Sequence, residues 1–118
     1  MNEQVLEQLR TLCLAYPEVS EEGGVGSPSF KVRKKIFAMQ HPMHDRPSLW
    51  CKAPAGAQEV LVGSDPTRFF VPPYVGHHGW VGLWLDVDLD WEEIADLIEQ
   101  SYRLTVPKRL WALHTGLQ

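Results

Sequence analysis

Apolar residues recur at helical spacing at the start of the chain, where Val5, Leu6, Leu9, Leu12 and Cys13 fall on one stripe. Asn2 can cap this helix and Glu3 suits the positive end of its dipole. Pro17 stops it, because a proline pushes the preceding Tyr16 out of the α region. Glu18 to Ser29 is rich in Gly, Ser and Glu and reads as a loop. The period then changes to two. Phe30-Lys31-Val32 and Ile36-Phe37-Ala38-Met39 are short β runs separated by Arg33-Lys34-Lys35, which predicts a hairpin. No Gly or Asn supplies the positive φ of a tight turn there. A two-residue and a three-residue turn would send different basic side chains to solvent, and both stay open.

His41 to Pro47 is a connection, and Ser48 to Lys52 is a third strand with Leu49 and Cys51 opposite Trp50 and Lys52. Pro54 fits the first turn of a short helix through Gln58, Val60 and Leu61, ended by Gly63. Asp65-Pro66 can start one more helical turn, leading into Phe69-Phe70-Val71. Pro72-Pro73 removes two backbone donors, so Val71 to Gly79 is expected to be an extended, stiff loop. Trp80 to Asp86 is the last strand, with Val81, Leu83 and Leu85 on one face and Trp80, Gly82 and Trp84 on the other. Asp90 and Glu93 open the best helix, whose face of Trp91, Ile94, Ala95, Ile98 and Tyr102 opposes Glu92, Asp96 and Glu99. A terminal helix from about Pro107 to Leu113 follows, with Gly116 able to end it. Helix, antiparallel strands and helix make an α+β domain: an antiparallel sheet packed against N- and C-terminal helices.

At 118 residues, the chain is expected to form a single domain over 1–118 with a core that needs no staples. No apolar run approaches the ~18 residues of a membrane span, and Met1-Asn2-Glu3-Gln4 lacks the basic start of a signal peptide. The expected setting is cytoplasmic, with no membrane partner. Cys13 and Cys51 form no C-x-x-C and fall on apolar faces, as inert buried thiols do.

The formal net charge of −4 conceals a lopsided distribution. Between Gly23 and His44 there is no acid, while Lys31, Arg33, Lys34 and Lys35 stand together. Between Phe69 and Tyr102 there is no Lys or Arg, while seven acids run from Asp86 to Glu99. A polyanion could touch one part of such a molecule, although the summed field does not attract it.

Catalytic signatures are absent: no G-x-S-x-G, no P-loop, and Gly24-Val25-Gly26 lacks the third glycine of a dinucleotide fingerprint. No enzyme activity and no cofactor are expected. Asp86-Val87-Asp88-Leu89-Asp90 resembles the opening of a calcium loop. Trp91 stands where that loop needs glycine and Leu97 where it needs glutamate, so solvated turn residues and a helix cap account for it better. His77-His78, between Gly76 and Gly79, would diverge in extended backbone and so make a poor chelate; loop histidines able to contact phosphate are the alternative. Core packing explains the cluster of Trp80, Trp84 and Trp91 better than a stacking platform does. An exposed Trp84 beside Tyr74 would instead mark a partner surface.

The basic hairpin carries the sharpest functional signal. A two-stranded ribbon with several cations can neutralise phosphates or enter a groove, and lysines also protect an exposed edge from aggregation. Lys31, Arg33, Lys34 and Lys35, with Arg68, His77 and His78, are the candidate nucleic-acid contacts, and double-stranded DNA is the candidate partner. A protein- or small-ligand-binding module using the Pro72 to Trp80 loop is the alternative.

Several segments, in order, resemble the MmcQ/YjbR family: Phe30-Lys31-Val32, Lys35-Ile36-Phe37-Ala38, Val71-Pro72-Pro73-Tyr74-Val75-Gly76, Gly79-Trp80-Val81, Leu85-Asp86, Trp91-Glu92-Glu93 and Ser101-Tyr102-Arg103. The resemblance implies the YjbR/CyaY-like fold, with helices on one side of an antiparallel sheet. Members are described as DNA-binding proteins with a double wing of β-hairpins, which would make Phe30 to Met39 one wing. The family often places glycine in this turn, where Lys34 stands here. The fold also resembles that of frataxin-like proteins, a likeness that would imply iron binding on an acidic first helix. Only Glu3 and Glu7 stand there in this chain, so that activity is not carried over.

Overall fold

The computed structural model describes residues 3–23 and 27–115, the last three by backbone alone. Asn2, Gly24-Val25-Gly26 and Gly116 lie outside the described residues. The elements are α1 (Glu3–Leu14), β1 (Val19–Glu22), β2 (Ser29–Val32), β3 (Lys35–Gln40), β4 (Ser48–Cys51), α2 (Ala57–Ser64), β5 (Phe69–Phe70), a 3₁₀ turn (Gly76–His78), β6 (Val81–Trp84), α3 (Trp91–Thr105) and α4 (Lys108–Thr115). The strands form one antiparallel sheet in the order β1-β2-β3-β4-β6-β5.

Four expectations need correction. The Glu18–Ser29 loop contains β1, an edge strand pairing Val19 to Val32 through Glu22 to Ser29. It has too little apolar alternation to be read from sequence, and ion pairs help hold it: Arg10 grips Glu21 with two nitrogens, and Lys31 meets Glu22. Phe69-Phe70 forms an edge strand as well, paired with Leu83 and Gly82. Gly63 lies inside α2, whose end comes at Asp65, where the amide returns to Leu61 O. Finally, the Val71–Gly79 loop is compact. Pro72 is fully buried, and Gln58 Nε2 donates to the carbonyls of Gly76 (2.7 Å) and Trp80 (2.6 Å), clamping the 3₁₀ turn from both sides.

The core lies on one face of the sheet. Leu9 and Cys13 of α1 and Ile94, Ile98 and Tyr102 of α3 join Phe30, Val32, Phe37, Leu49, Val81 and Leu83 there. Asp90 caps α3, accepting the amides of Glu92 and Glu93. The Tyr102 hydroxyl donates to Pro17 O at 2.8 Å, tying α3 to the end of the α1–β1 connection. Ser101 reinforces a rung of the sheet. Beyond the Ala38–Cys51 pair, its hydroxyl donates to Phe37 O and accepts the Lys52 amide at 2.9 Å, while that amide also reaches Phe37 O at 3.3 Å.

The opposite face is roofed by its own aromatics. Phe70 lies over Gly82, where any Cβ would fall 2.3 Å from the ring, and stacks on Trp84 at 4.4 Å. The Arg46 guanidinium lies 4.0 Å over Trp84 while pairing with Asp86 through two nitrogens. Trp50 donates to Ser48 Oγ and packs beside His41. Trp80 and Trp84 are therefore buried packing residues, and no Trp84–Tyr74 surface forms.

Candidate nucleic-acid interface at the hairpin tip

The β2–β3 turn has two central residues. Val32 pairs with Lys35, and Arg33 (φ 51°) and Lys34 (φ 69°) both adopt the left-handed region, the geometry of a type I′ turn. Turns of this kind twist the right way for a hairpin, and the ladder enforces it on two cations without glycine. A bulge between Phe30 and Lys31 then shifts the register, leaving Phe37 unpaired with β2. The β3–β4 connection repeats the device: Met43 and Arg46 exchange both backbone hydrogen bonds around His44 (φ 54°) and Asp45 (φ 62°).

Strand β1 and the residue before it divide the basic cluster. Lys31 Nζ sits 3.1 Å from Glu22, and Arg33 grips Glu18 at 2.5 and 3.0 Å. The guanidinium bond holds the Glu18 carboxyl below its ordinary range. These acids come from the segment read from sequence as a loop. Lys34 and Lys35 are exposed and have no carboxylate within ion-pair distance among the described residues. Two of the four hairpin cations thus remain available to an external anion.

The other sequence-derived contacts scatter. Arg68 is held by Asp65 and Glu93 beside β5, three strand spacings or ~14 Å from β3. It does not join the hairpin. His77 and His78 are exposed on the 3₁₀ turn, with ring centroids 3.9 Å apart, so they do not diverge as they would in extended backbone. No group of three metal-ligating side chains occurs among the described residues, and no helix there is long and apolar enough to cross a membrane. Asp86 and Asp90 are used by Arg46 and by the α3 cap.

Sequence reasoning missed Lys52. It follows β4 directly, is partly buried, and has no carboxylate partner among the described residues. Burial lowers its pKa from 10.5, and the charge of Lys35 lowers it further. Its one sequence signal is position: a lysine directly after a wholly buried strand has an anchored backbone and a short reach to the surface. The tip and its neighbour thus gather Lys34, Lys35 and Lys52 at one end of the sheet.

No match was found among the curated proteins. Two crystal structures share the fold. A Deinococcus radiodurans protein with a DUF419 domain is 22% identical with a TM-score of 0.77, covering 96% of this chain and 88% of its own. A Pseudomonas syringae protein is 20% identical with a TM-score of 0.63, covering 90% of this chain and 100% of its own. The YjbR family model matches residues 14–104, from the end of α1 to the last turn of α3, and the chain belongs to the YjbR family.

Proposed function

We propose that this chain is a non-enzymatic binding domain that contacts the phosphates of double-stranded DNA with the tip of the β2–β3 hairpin. The observation that carries this reading is a tight, strained turn presenting Lys34 and Lys35 without acid partners among the described residues, while Lys31 already pairs with Glu22 of β1 and Arg33 with Glu18 just before it. Two or three phosphate contacts predict a shallow salt dependence, with log K falling against log salt with a slope of about −2 to −3.

The test is a fluorescence-anisotropy titration of duplex DNA at several salt concentrations, with Lys34→Gly as the main variant. Glycine removes the cation and relieves the positive φ, so binding should weaken while the fold becomes firmer. Left-handed strain of ~1–2 kcal/mol, offset by ~0.5–1 kcal/mol of glycine entropy, predicts a net gain of about 0.5–1 kcal/mol. Opposite signs for stability and affinity exclude misfolding as the cause. Undiminished binding by Lys34→Gly combined with Lys35→Ala, or no binding at low salt, would refute the proposal.

A second reading draws on Tyr74. It is 86% exposed at φ 67° on the loop anchored by buried Pro72, and Val71 beside it is 53% exposed. A bulky residue held at positive φ and open to solvent suits an interaction loop. Chemical-shift changes confined to Pro72–Trp80 on adding a protein or small-molecule ligand would favour that reading.

A further inference from the structure

We infer that the cleft beside Lys52 is a binding site for a small phosphate-bearing ligand of the mononucleotide class, its phosphate seated between Lys52 and His78. The cleft has a volume of about 410 Å³ and is lined by Lys52, Ala53, His78, Trp80 and Leu104. That size lies within the ~300–1,000 Å³ range of small-molecule sites. Its lining divides by chemistry. Lys52 and His78 provide the polar, basic side; Ala53, Trp80 and Leu104 provide the apolar side.

Three features point to an anion. No acid lines the cleft, although the chain carries more acids than bases. Lys52 is partly desolvated and repelled by Lys35, and no carboxylate offsets either cost among the described residues. A cation held this way gains more from an incoming anion than one already paired, because the anion supplies the missing counter-charge. The frame is also built rather than incidental. The Lys52 amide is fixed by Ser101 and Phe37 O, and the Gly76–His78 turn and Trp80 are fixed by the Gln58 clamp. Both basic groups thus project from anchored backbone.

The apolar side selects against bare inorganic phosphate. Leu104 is 50% exposed although it lies on the well-packed α3, and it faces the cleft with Ala53 and the rim of buried Trp80. A flat base or sugar covering this wall would bury Leu104 while its phosphate meets Lys52. This site does not depend on DNA contact by the hairpin, and it gives the loop-centred reading a chemical class of ligand.

The probe is adenosine monophosphate, titrated into the whole protein and followed by two-dimensional amide NMR, with adenosine and inorganic phosphate in parallel. Binding should shift the Ala53, His78, Trp80 and Leu104 amides. Adenosine should bind at least about 10-fold more weakly, because it lacks the charge-assisted contact. Lys52→Met keeps the aliphatic stem and removes the charge. It should weaken adenosine monophosphate about 10-fold or more without lowering the urea midpoint, which certifies the fold. The same variants separate the two possible sources of phosphate. If Lys34→Gly lowers DNA affinity alone and Lys52→Met lowers mononucleotide affinity alone, the ligand is a free mononucleotide. If the mononucleotide displaces DNA and Lys52→Met weakens both, the seated phosphate comes from a nucleic-acid backbone. Equal binding of adenosine monophosphate and adenosine, shifts confined to other residues, or wild-type affinity in Lys52→Met would overturn the site.

Discussion

Ser101→Ala tests how the helix layer holds open the end of the sheet where the free cations gather. Ser101 is fully buried, and its hydroxyl bridges two backbone groups that would otherwise be joined only by the 3.3 Å bond from the Lys52 amide to Phe37 O. Two buried hydrogen bonds at ~0.5–1.5 kcal/mol each give a loss of about 2 kcal/mol. Alanine recovers roughly 0.5 kcal/mol through its higher helix propensity, leaving a net cost of about 1.5 kcal/mol. With a urea m value of ~1.5 kcal/mol/M, the midpoint should fall by about 1 M. Hydrogen exchange supplies a local readout: the Lys52 amide should exchange faster, while amides of the β2–β3 ladder should keep their order of protection. Thr105→Ala is the control, since its hydroxyl donates to Ser101 O within the same helix and its loss should cost much less. A midpoint shift below ~0.3 M, or equal losses in both variants, would refute this account of the bridging hydroxyl.

Gly82→Ala should cost about 2–3 kcal/mol, because the new Cβ overlaps the Phe70 ring and breaks its stack on Trp84. The same substitution in a Phe70→Ala background should cost far less, and equal costs by thermal melts of the two pairs would exclude this clash. Cys13 and Cys51 should resist a thiol reagent in the native state and react fully in denaturant, because burial pushes the Cys51 thiol up to about 12 and the Cys13 thiol higher still. Rapid native labelling of either would contradict their packing. Lowering the pH should reduce stability from about pH 4 downwards. Arg46, Arg68 and Arg33 hold Asp86, Asp65 and Glu18 below their ordinary values of 3.8, 3.8 and 4.5, so their contribution is present above those values and lost as pH falls through the depressed ones. Urea midpoints across this range should fall less steeply for Arg46→Gln, and an unchanged slope would count against the Arg46–Asp86 pair.

Strong periodicity made α1, β3, β4, β6 and α3 readable, and Asp90 announced its own cap. Strands β1 and β5 escaped because neither depends on alternation of its own: one is held by Arg10 and Lys31, the other by a phenylalanine roofing a glycine on its neighbour. The hairpin register could not be read because turn chemistry points to glycine or asparagine, whereas here the flanking ladders impose positive φ on Arg33-Lys34 and His44-Asp45. The site was legible in part. Four clustered cations are visible in sequence, but their neutralisation by Glu18 and Glu22 depends on a strand that is not. Lys52 carries no motif, since its significance comes from Lys35, His78 and Trp80, which reach it from separate elements.

The strand order also sets a sequence of events. Strands β1 to β4 each pair with the next in the chain, so this meander can close from local contacts, which is the faster kind of assembly. The other edge of β4 must wait for β6, whose Trp84 lies about 33 residues beyond Cys51. At a synthesis rate of ~5–20 residues per second, that edge stays open for roughly 2–7 s on the ribosome. It carries Leu49, Trp50 and Cys51, all of them buried later, and an unpaired strand of that composition invites association with other chains. During this interval the nascent chain carries an unpaired apolar edge, and arrival of β6 closes it.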